Sequence, residues 1–320
     1  MLHVVGLGVA EQAELSVTAQ QAISNSAVVI GAARQLETVA HYVAGEIPTH
    51  ELPPLQQLPE LLAQYDGQDV CLLASGDPLY YGIGRWLLQR YTRNQLTFYP
   101  AVSSIQAACH ALGLALQDVQ VVSLHGRPLA TLRRHLARNS TILCLTDAHS
   151  SPQAIARLCC TAGFFESRLW VCERLGYETQ QVREFSVAAL AGISRLTAAE
   201  IVPPEFDPLH VSVLEVRGVG GYLPAGPGIA DADFITDATA GSGLLTKREV
   251  RMAILGFLPA KPDSVCWDIG AGCGGVAVEW ALLQARAQVY AIEHHAERLE
   301  CLQQNRERFG VVDNLRVIAG

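Results

Sequence analysis

Charge is scarce in this chain: only 17% of its 320 residues are Asp, Glu, Lys or Arg, and the formal balance is −8. A surplus of that sign argues against a general nucleic-acid or anionic-membrane surface, although it leaves room for local basic pockets. Apolar runs such as AVVIGAA (27–33) fall well short of a membrane span. The amino terminus, MLHVVGLGVA, has neither a basic n-region nor a small-residue cleavage site, so it reads as a first strand and not as a signal peptide. Nine cysteines are present without a single CxxC pair, and most lie in apolar runs such as VCLLAS and TILCLT. That is the pattern of buried structural thiols in a reducing cytoplasm, and no metal site is indicated. Internal repeats and low-complexity tracts are also missing.

What the chain does have is apolar residues, at 50%, over a length that suits two or three domains. Such a surplus suits a homo-oligomer, although composition alone leaves a monomer with large cores equally open. Strand-like runs at 3–8, 27–32, 69–75, 141–146, 168–175 and 210–216 alternate with helical stretches such as LPELLAQY (58–65) and SSIQAACHAL (103–112). This predicts an α/β protein with largely parallel, buried strands. A Gly- and Pro-rich stretch without periodicity, residues 218–233, reads as a linker. Beyond it a second α/β unit is expected: strand 265–272, helix 274–284, strand 288–294, helix 296–310 and strand 314–320.

The first half carries Gly76-Asp77-Pro78 directly after the strand VCLLAS. Glycine permits a tight turn and close approach to a ligand, proline stiffens it, and the Asp side chain caps the next turn or accepts a ligand hydrogen bond. Alone, the tripeptide is only a good turn. Its company is more informative: the first strand ends in Gly6-Leu7-Gly8, PAVSSIQAA (100–108) opens a helix after a strand, and SLHGR (123–127) follows another. Small-residue turns at several strand ends of an open α/β sheet can converge on one ligand. Arg127, Arg133, Arg134 and Arg138 lie in HGRPLATLRRHLAR. Arg134 and Arg138, one helical turn apart, can pair with substrate carboxylates or simply form a solvated helix face; Arg127, in the loop, is the stronger substrate-binding candidate.

Residues 1 to about 217, through VVGLG, VVIGAARQLE, ASGDPLYYGIG, YPAVSSIQAA, SLHGR and VCERLG, closely resemble the tetrapyrrole methylases of corrin biosynthesis, in particular the C5-methyltransferase branch. The resemblance implies a two-lobed α/β fold, with residues 1–112 as one lobe and 113–217 as the other, holding S-adenosylmethionine between them. It implies that Ser75, Gly76 and Asp77 line the methionine and ribose side, with Gly8, Tyr80, Ser103 and Ser104 as further contacts. One departure stands out: the family's first loop usually reads G-x-G-P-G, whereas here it is Gly6-Leu7-Gly8-Val9-Ala10.

In the second half, DIGAGCGG (268–275) follows an apolar strand and opens a helix, where glycines let backbone N–H groups approach a cofactor. Glu293 ends the next strand, where an acid can accept both ribose hydroxyls of an adenosine. Gly270, Gly272 and Gly275 also satisfy G-x-G-x-x-G, so a dinucleotide must be weighed. Two details favour S-adenosylmethionine: Asp268 stands where it can face the cofactor's ammonium group, and the extra segment 243–255 precedes the first strand. His294 and His295 read as surface residues, and nothing around Cys273 suggests a lowered pKa. The segments LLTKREVR, WDIGAGCGGVAVEWA and VYAIEHHAERLECLQQNRERFG resemble the precorrin C15-methyltransferase/decarboxylase family. By that resemblance Thr246, Gly270, Gly272, Gly274 and Glu293 are cofactor contacts.

The expected architecture is therefore a two-lobed tetrapyrrole methylase fold followed by the first half of a class I, Rossmann-like methyltransferase fold over 234–320. In the complete class I fold, strand one pairs with a strand four that would lie past residue 320. We therefore expect an exposed apolar edge here, in a fragment or in a domain that is not a working catalyst by itself. Together the resemblances imply a cytoplasmic enzyme of cobalamin biosynthesis that methylates a precorrin at C5 and C15 and releases CO₂ from the C12 acetate. An electron-rich ring carbon attacks a sulfonium methyl, which asks the protein to align partners and exclude water and asks for no metal or covalent nucleophile. Two other readings stay open: C5 methylation alone, with the C-terminal segment a docking or oligomerisation element, and a dinucleotide-dependent oxidoreductase.

Overall fold

The apolar runs become strands in a computed structural model, which describes residues 1–43, 45, 47–193, 204–221, 223–224, 226–238 and 243–320. The first sheet contains β1 (Leu2–Gly6), β2 (Val28–Gly31), β3 (Thr49–Glu51), β4 (Val70–Ala74) and β5 (Leu96–Tyr99), in the order β3-β2-β4-β1-β5. All its pairings are parallel. Side chains of alternate residues go to opposite faces. Leu2, Val4, Val28, Ile30, Val70 and Leu72 pack with Leu58 and Leu87, whereas Val5, Val29, Cys71 and Leu73 pack with Ala19 and Ile23. Both faces are covered, which is why these strands read as continuous apolar runs and not as alternating ones. The order places β1 beside β4, so the loops that leave their carboxyl ends are neighbours.

A second sheet holds β6 (Val119–Ser123), β7 (Thr141–Leu145), β8 (Arg168–Glu173), β9 (Gln181–Ser186) and β10 (His210–Glu215), ordered β6-β7-β10-β8-β9. The short β3 and the mostly exposed β9 (QVREFS) carry little apolar signal and are not visible in the pattern of the sequence. By contacts the chain forms two compact units, the first made of Met1–Val119, Val171–Arg183 and Glu205–Val211, the second of the rest. All nine cysteines are free and buried, and burial pushes the thiols of Cys71, Cys144 and Cys172 up to about 12.

The C-terminal strands β11 (Val265–Ile269), β12 (Gln288–Glu293) and β13 (Leu315–Ala319) make a parallel sheet in that order. Val289, Ala291 and Leu315 pack there with Ala277 and Val278 of the helix Gly275–Leu283 and Leu302 of the helix Ala296–Arg308. Along β11 the inward residue Cys266 alternates with Val265, Trp267 and Ile269, which are 60%, 55% and 78% exposed. Trp267 stacks on Tyr290 with ring centroids 4.9 Å apart. Among the described residues no helix is long and apolar enough to cross a membrane.

Two arginine networks bind the second unit together. Arg251, on the helix Arg248–Phe257, is wholly buried; its Nε donates to Glu279 at 2.7 Å and its Nη1 to Asp231 at 2.6 Å. The guanidinium also donates to the Ile229 carbonyl and lies over the Phe234 ring. The Glu279 carboxylate accepts the Gly228 amide at 2.6 Å. The described part of the expected linker is thus a packed strap, with Ile229 buried in the core, and not a free tether.

The second network overturns the solvated-face alternative for Arg134. Leu129–His135 is a 3-10 helix in which Arg133 is buried and donates to the Gly221 carbonyl at 2.6 Å. Arg134 donates to Asn314 Oδ1 at 3.2 Å and to the Ala281 carbonyl at 3.1 Å, so it places a cation on the carboxyl end of the helix Gly275–Leu283. Asn314 Nδ2 meanwhile donates to the carbonyls of Ala281, Gln284 and Ala287. Gly310 permits the contact, since a methyl group there would lie 2.7 Å from the Ala130 carbonyl oxygen. Only Arg138 of the pair proposed for substrate remains exposed.

Removing one partner of a buried ion pair leaves the other charge uncompensated, at a cost of about 3–5 kcal/mol. Arg251→Ala is expected to lower unfolding stability by about that amount in urea titration, and Arg251→Met with Glu279→Leu to recover most of it.

Candidate functional site

At the carboxyl ends of β1 and β4 the backbone is drawn unusually close. Gly8 and Gly76, both left-handed with φ +69° and +62°, form an isolated antiparallel bridge in which the Gly76 amide donates to the Gly8 carbonyl at 2.9 Å. A methyl on Gly6 would fall 2.7 Å from the Gly76 carbonyl oxygen and 2.8 Å from Pro78 Cδ, so only glycine fits there. The third loop joins from β5: a methyl on Gly76 would touch Ser103 Cα at 3.3 Å and the Ser104 amide nitrogen at 3.8 Å. The structure thus brings together Gly8, Ser75, Gly76, Asp77, Tyr80, Ser103 and Ser104.

Several of these side chains already have work within the protein. Asp77 Oδ1 accepts the amides of Leu79 at 2.8 Å and Tyr80 at 3.1 Å, and its Oδ2 accepts the Ala101 amide at 3.4 Å. The carboxylate therefore staples the glycine loop to the loop after β5. Ser103 caps the helix Ser104–Leu112, its Oγ accepting the Gln106 amide at 3.2 Å. Ser75 Oγ accepts from Gln35 Nε2 at 2.9 Å. Leu79, Tyr80 and Tyr81 form an exposed apolar rim on the loop. The altered residues Val9-Ala10 are accommodated from outside: Gly176, at φ +80°, comes so near that a methyl there would sit 3.0 Å from Ala10 Cα.

Arg127 stands exposed in the second unit, on a turn fixed from beneath. Asp147, at the end of β7, accepts the Gly126 amide at 2.8 Å and both the amide and hydroxyl of Ser150. The Gly126 amide, then the Ser150 hydroxyl, hold its carboxyl well below the usual carboxylate range. Asp147 belongs to no motif of the sequence; its one signal there is an acid directly after the strand TILCLT.

In the C-terminal loop, Gly270, Gly272 and Gly274 are all left-handed, with φ of +76°, +56° and +88°, but they do different things. A methyl on Gly272 would strike the Leu244 carbonyl oxygen at 2.5 Å, and one on Gly274 would strike Leu302 Cδ1 at 2.1 Å. Gly270 alone faces open space. Glu293 is buried beside them; it accepts the Gly272 amide at 2.8 Å and the amides of His294 and His295, chiefly the last, which keep its pKa below the ordinary value. Asp268 accepts the Ala277 amide at 3.0 Å and so ties the strand to the helix start, while burial raises its pKa. Thr246 is exposed at the entry to the helix Arg248–Phe257, and its carbonyl accepts from Arg251. His294 lies at the surface, but His295 is half-buried with an enclosed Nδ1 that makes no hydrogen bond. Burial pushes the Cys273 thiol up to about 11.

Asp237 and Arg298 were missed from the sequence, because they are distant in sequence and belong to no motif. Asp237 accepts Arg298 Nε at 2.9 Å and the Leu244 amide at 2.9 Å. Leu244 in turn accepts the Cys273 amide, so this pair holds the 243–245 segment against the glycine loop.

Glycine loops thus lie at strand ends in both parts, with a capped helix start beside one and a buried carboxylate, Glu293, beside the other. A family model described as Tetrapyrrole (Corrin/Porphyrin) Methylases matches residues 1–191, and one described as Precorrin methyltransferase domain matches 237–320. A Sinorhizobium protein named Precorrin-6Y C(5,15)-methyltransferase [decarboxylating] is 36% identical over 321 residues, covering 100% of this chain and 73% of its own length. A Cobalt-precorrin-7 C(5)-methyltransferase from Salmonella typhimurium is 29% identical over 63% of this chain and 98% of its own length. The crystal structure of a precorrin-6Y methylase from Archaeoglobus fulgidus, 21% identical, superposes with a TM-score of 0.50 over 68% of this chain and 99% of that one, and shares the fold. The chain belongs to the tetrapyrrole methylases, and it is a methyltransferase.

The Arg298 guanidinium beside Asp237 holds its carboxyl at about 2, against an ordinary 3.8. A carboxyl depressed by folding stabilises the fold above its unfolded pKa and loses that contribution as pH falls through its folded one. Protection of the Leu244 amide from hydrogen exchange is therefore expected to fall between pH 3.8 and about 2, and Asp237→Asn is expected to abolish the pH dependence.

Proposed function

We propose that this chain methylates a precorrin at C5 and C15 and decarboxylates the C12 acetate in corrin biosynthesis, with S-adenosylmethionine held at both glycine loops. The observation that carries the reading is the Gly8–Gly76 bridge, where three strand-end loops converge beside the start of a capped helix. Residues 1–217 form the C5 domain in this reading and 234–320 the cofactor-binding part of a C15 domain. The relatives' names and the match of separate family models to the two parts support that division. In the C-terminal loop, the open space at Gly270 and the carboxylate of Glu293 fit a nucleoside.

The methyl donor supplies an activated sulfonium methyl; the protein's share is alignment and exclusion of water. Asp77 sets the loop through three backbone amides, and the rim Leu79, Tyr80 and Tyr81 offers an apolar wall for a flat macrocycle. Arg127, on the turn held by Asp147, is assigned to a substrate carboxylate. We assign the enzyme to the cytoplasm and to a homo-oligomer; gel filtration with light scattering reads the latter. The contacts of Arg134 with Ala281 and Asn314 favour a second role for the C-terminal part, as a docking element.

Incubation of the full chain with a late precorrin and S-adenosylmethionine, read by product mass, separates these roles. The wild type is expected to add two methyls and lose CO₂. Loss of the three amide contacts in Asp77→Ala should weaken S-adenosylhomocysteine at one of two calorimetric sites by about tenfold and suppress the C5 methyl. Gly270→Ala, which places a methyl in the open nucleoside space, should spare the C5 methyl and suppress the C15 methyl with CO₂ loss. A wild-type product with one methyl leaves only the docking role for the C-terminal part, and Asp77→Ala with unchanged binding sinks the assignment of the first loop.

A further inference from the structure

The turn after β8 carries a strained arginine that the cofactor loops do not explain. Arg174 has φ +48°, a left-handed conformation that costs a non-glycine residue free energy and is held only where its surroundings enforce it. Its guanidinium lies over the Tyr177 ring at 4.9 Å and reaches Asp207 by a single contact at 3.4 Å. Its Nε is enclosed and makes no hydrogen bond, which costs a buried donor free energy. The neighbouring Arg183 differs. It donates through Nε and Nη2 to buried Glu173 at 2.7 and 3.0 Å and lies over Phe206, so its role is structural.

The hydroxyl of Tyr177 meets Arg34, whose Nη1 donates to the phenol oxygen at 3.0 Å. Arg34 is exposed, and among the described residues no carboxylate lies within ion-pair distance of it. One phenol thus contacts two guanidiniums whose only acidic partner among the described residues is Asp207, so the group carries more positive than negative charge. The position of this group is fixed relative to the first cofactor loop at two points. Gln35, next to Arg34, donates to Ser75 Oγ at 2.9 Å, and Gly176, next to Tyr177, packs against Val9-Ala10. All of these residues belong to one compact unit.

We propose that Arg34 and Arg174, both in contact with Tyr177, bind a carboxylate arm of the tetrapyrrole and so orient the macrocycle at the first cofactor loop. This rests on the reading of that loop as a methyl-transfer site. Two cationic forks on a rigid aromatic spacer suit the acetate and propionate arms of such a substrate, which a lone surface lysine would hold less directionally. Arg34 supplies the uncompensated charge; Arg174, kept in place by the ring and by Asp207, supplies orientation.

The test uses the full chain, with uroporphyrin as a carboxylated probe followed by fluorescence and S-adenosylhomocysteine followed by calorimetry. Arg34→Ala is expected to weaken uroporphyrin by about tenfold to a hundredfold, the range of a lost charge-assisted hydrogen bond. Arg34→Lys should recover part of this, and Arg174→Lys should weaken the probe less than Arg34→Ala does. S-adenosylhomocysteine affinity should hold in all three variants, which also reports that they fold, and with the precorrin the loss should fall on KM rather than kcat. Unchanged uroporphyrin affinity in Arg34→Ala, with S-adenosylhomocysteine still bound, overturns the anchor and leaves the cofactor reading standing. A wild type that binds neither molecule overturns both.

Discussion

The closeness of two backbones at the ends of β1 and β4 is the constraint on which the first site depends. Because the Gly6 position has no room for a methyl group and Gly8 and Gly76 both require left-handed backbone, the two loops can exchange a hydrogen bond across the strand ends. Everything else at the site is arranged about that bridge. Asp77 draws in the loop after β5, Ser103 starts a helix there, and Gln35 reaches back to Ser75. A site assembled this way consists mainly of main-chain atoms, which suits a cofactor recognised by shape and hydrogen bonds rather than by covalent chemistry.

The C-terminal part follows a different plan. Its glycine loop is packed from above by 243–245, from behind by Leu302 and from the side by Glu293, so only Gly270 faces outward. The arginines provide the fastening. Arg251 gathers the strap 228–234 onto the helix Gly275–Leu283, and Arg134 closes the carboxyl end of the same helix. One helix therefore carries a buried ion pair in its middle, a cation at its end and the glycine loop at its beginning.

Much of this was legible in the residues. Runs such as HVVGLG and DVCLLAS announce buried parallel strands because both faces of those strands are covered, and the small-residue turns after them mark the candidate site. The strands β3 and β9 were not legible, since short or exposed segments carry no apolar signature. The arginines of HGRPLATLRRHLAR were misjudged for a related reason. Charge in a sequence suggests solvent, and only a partner about 180 residues away, Asn314, turns Arg134 inward. The stretch 218–233 reads as a linker because Gly and Pro suppress periodicity, yet the buried Arg251 guanidinium donates to its Ile229 carbonyl.

By itself the sequence determined where glycine is required, which segments are buried, and that two glycine loops of different design follow strands, because those follow from local backbone freedom and apolar patterning. Tertiary structure alone decided what the polar side chains do. Asp77 serves amides, Asp268 ties a strand to a helix, Asp237 finds Arg298, and Arg34 meets Arg174 across a phenol. A hydrogen bond or ion pair forms between groups brought within about 3 Å, and nothing in the local chain specifies which distant group will be there.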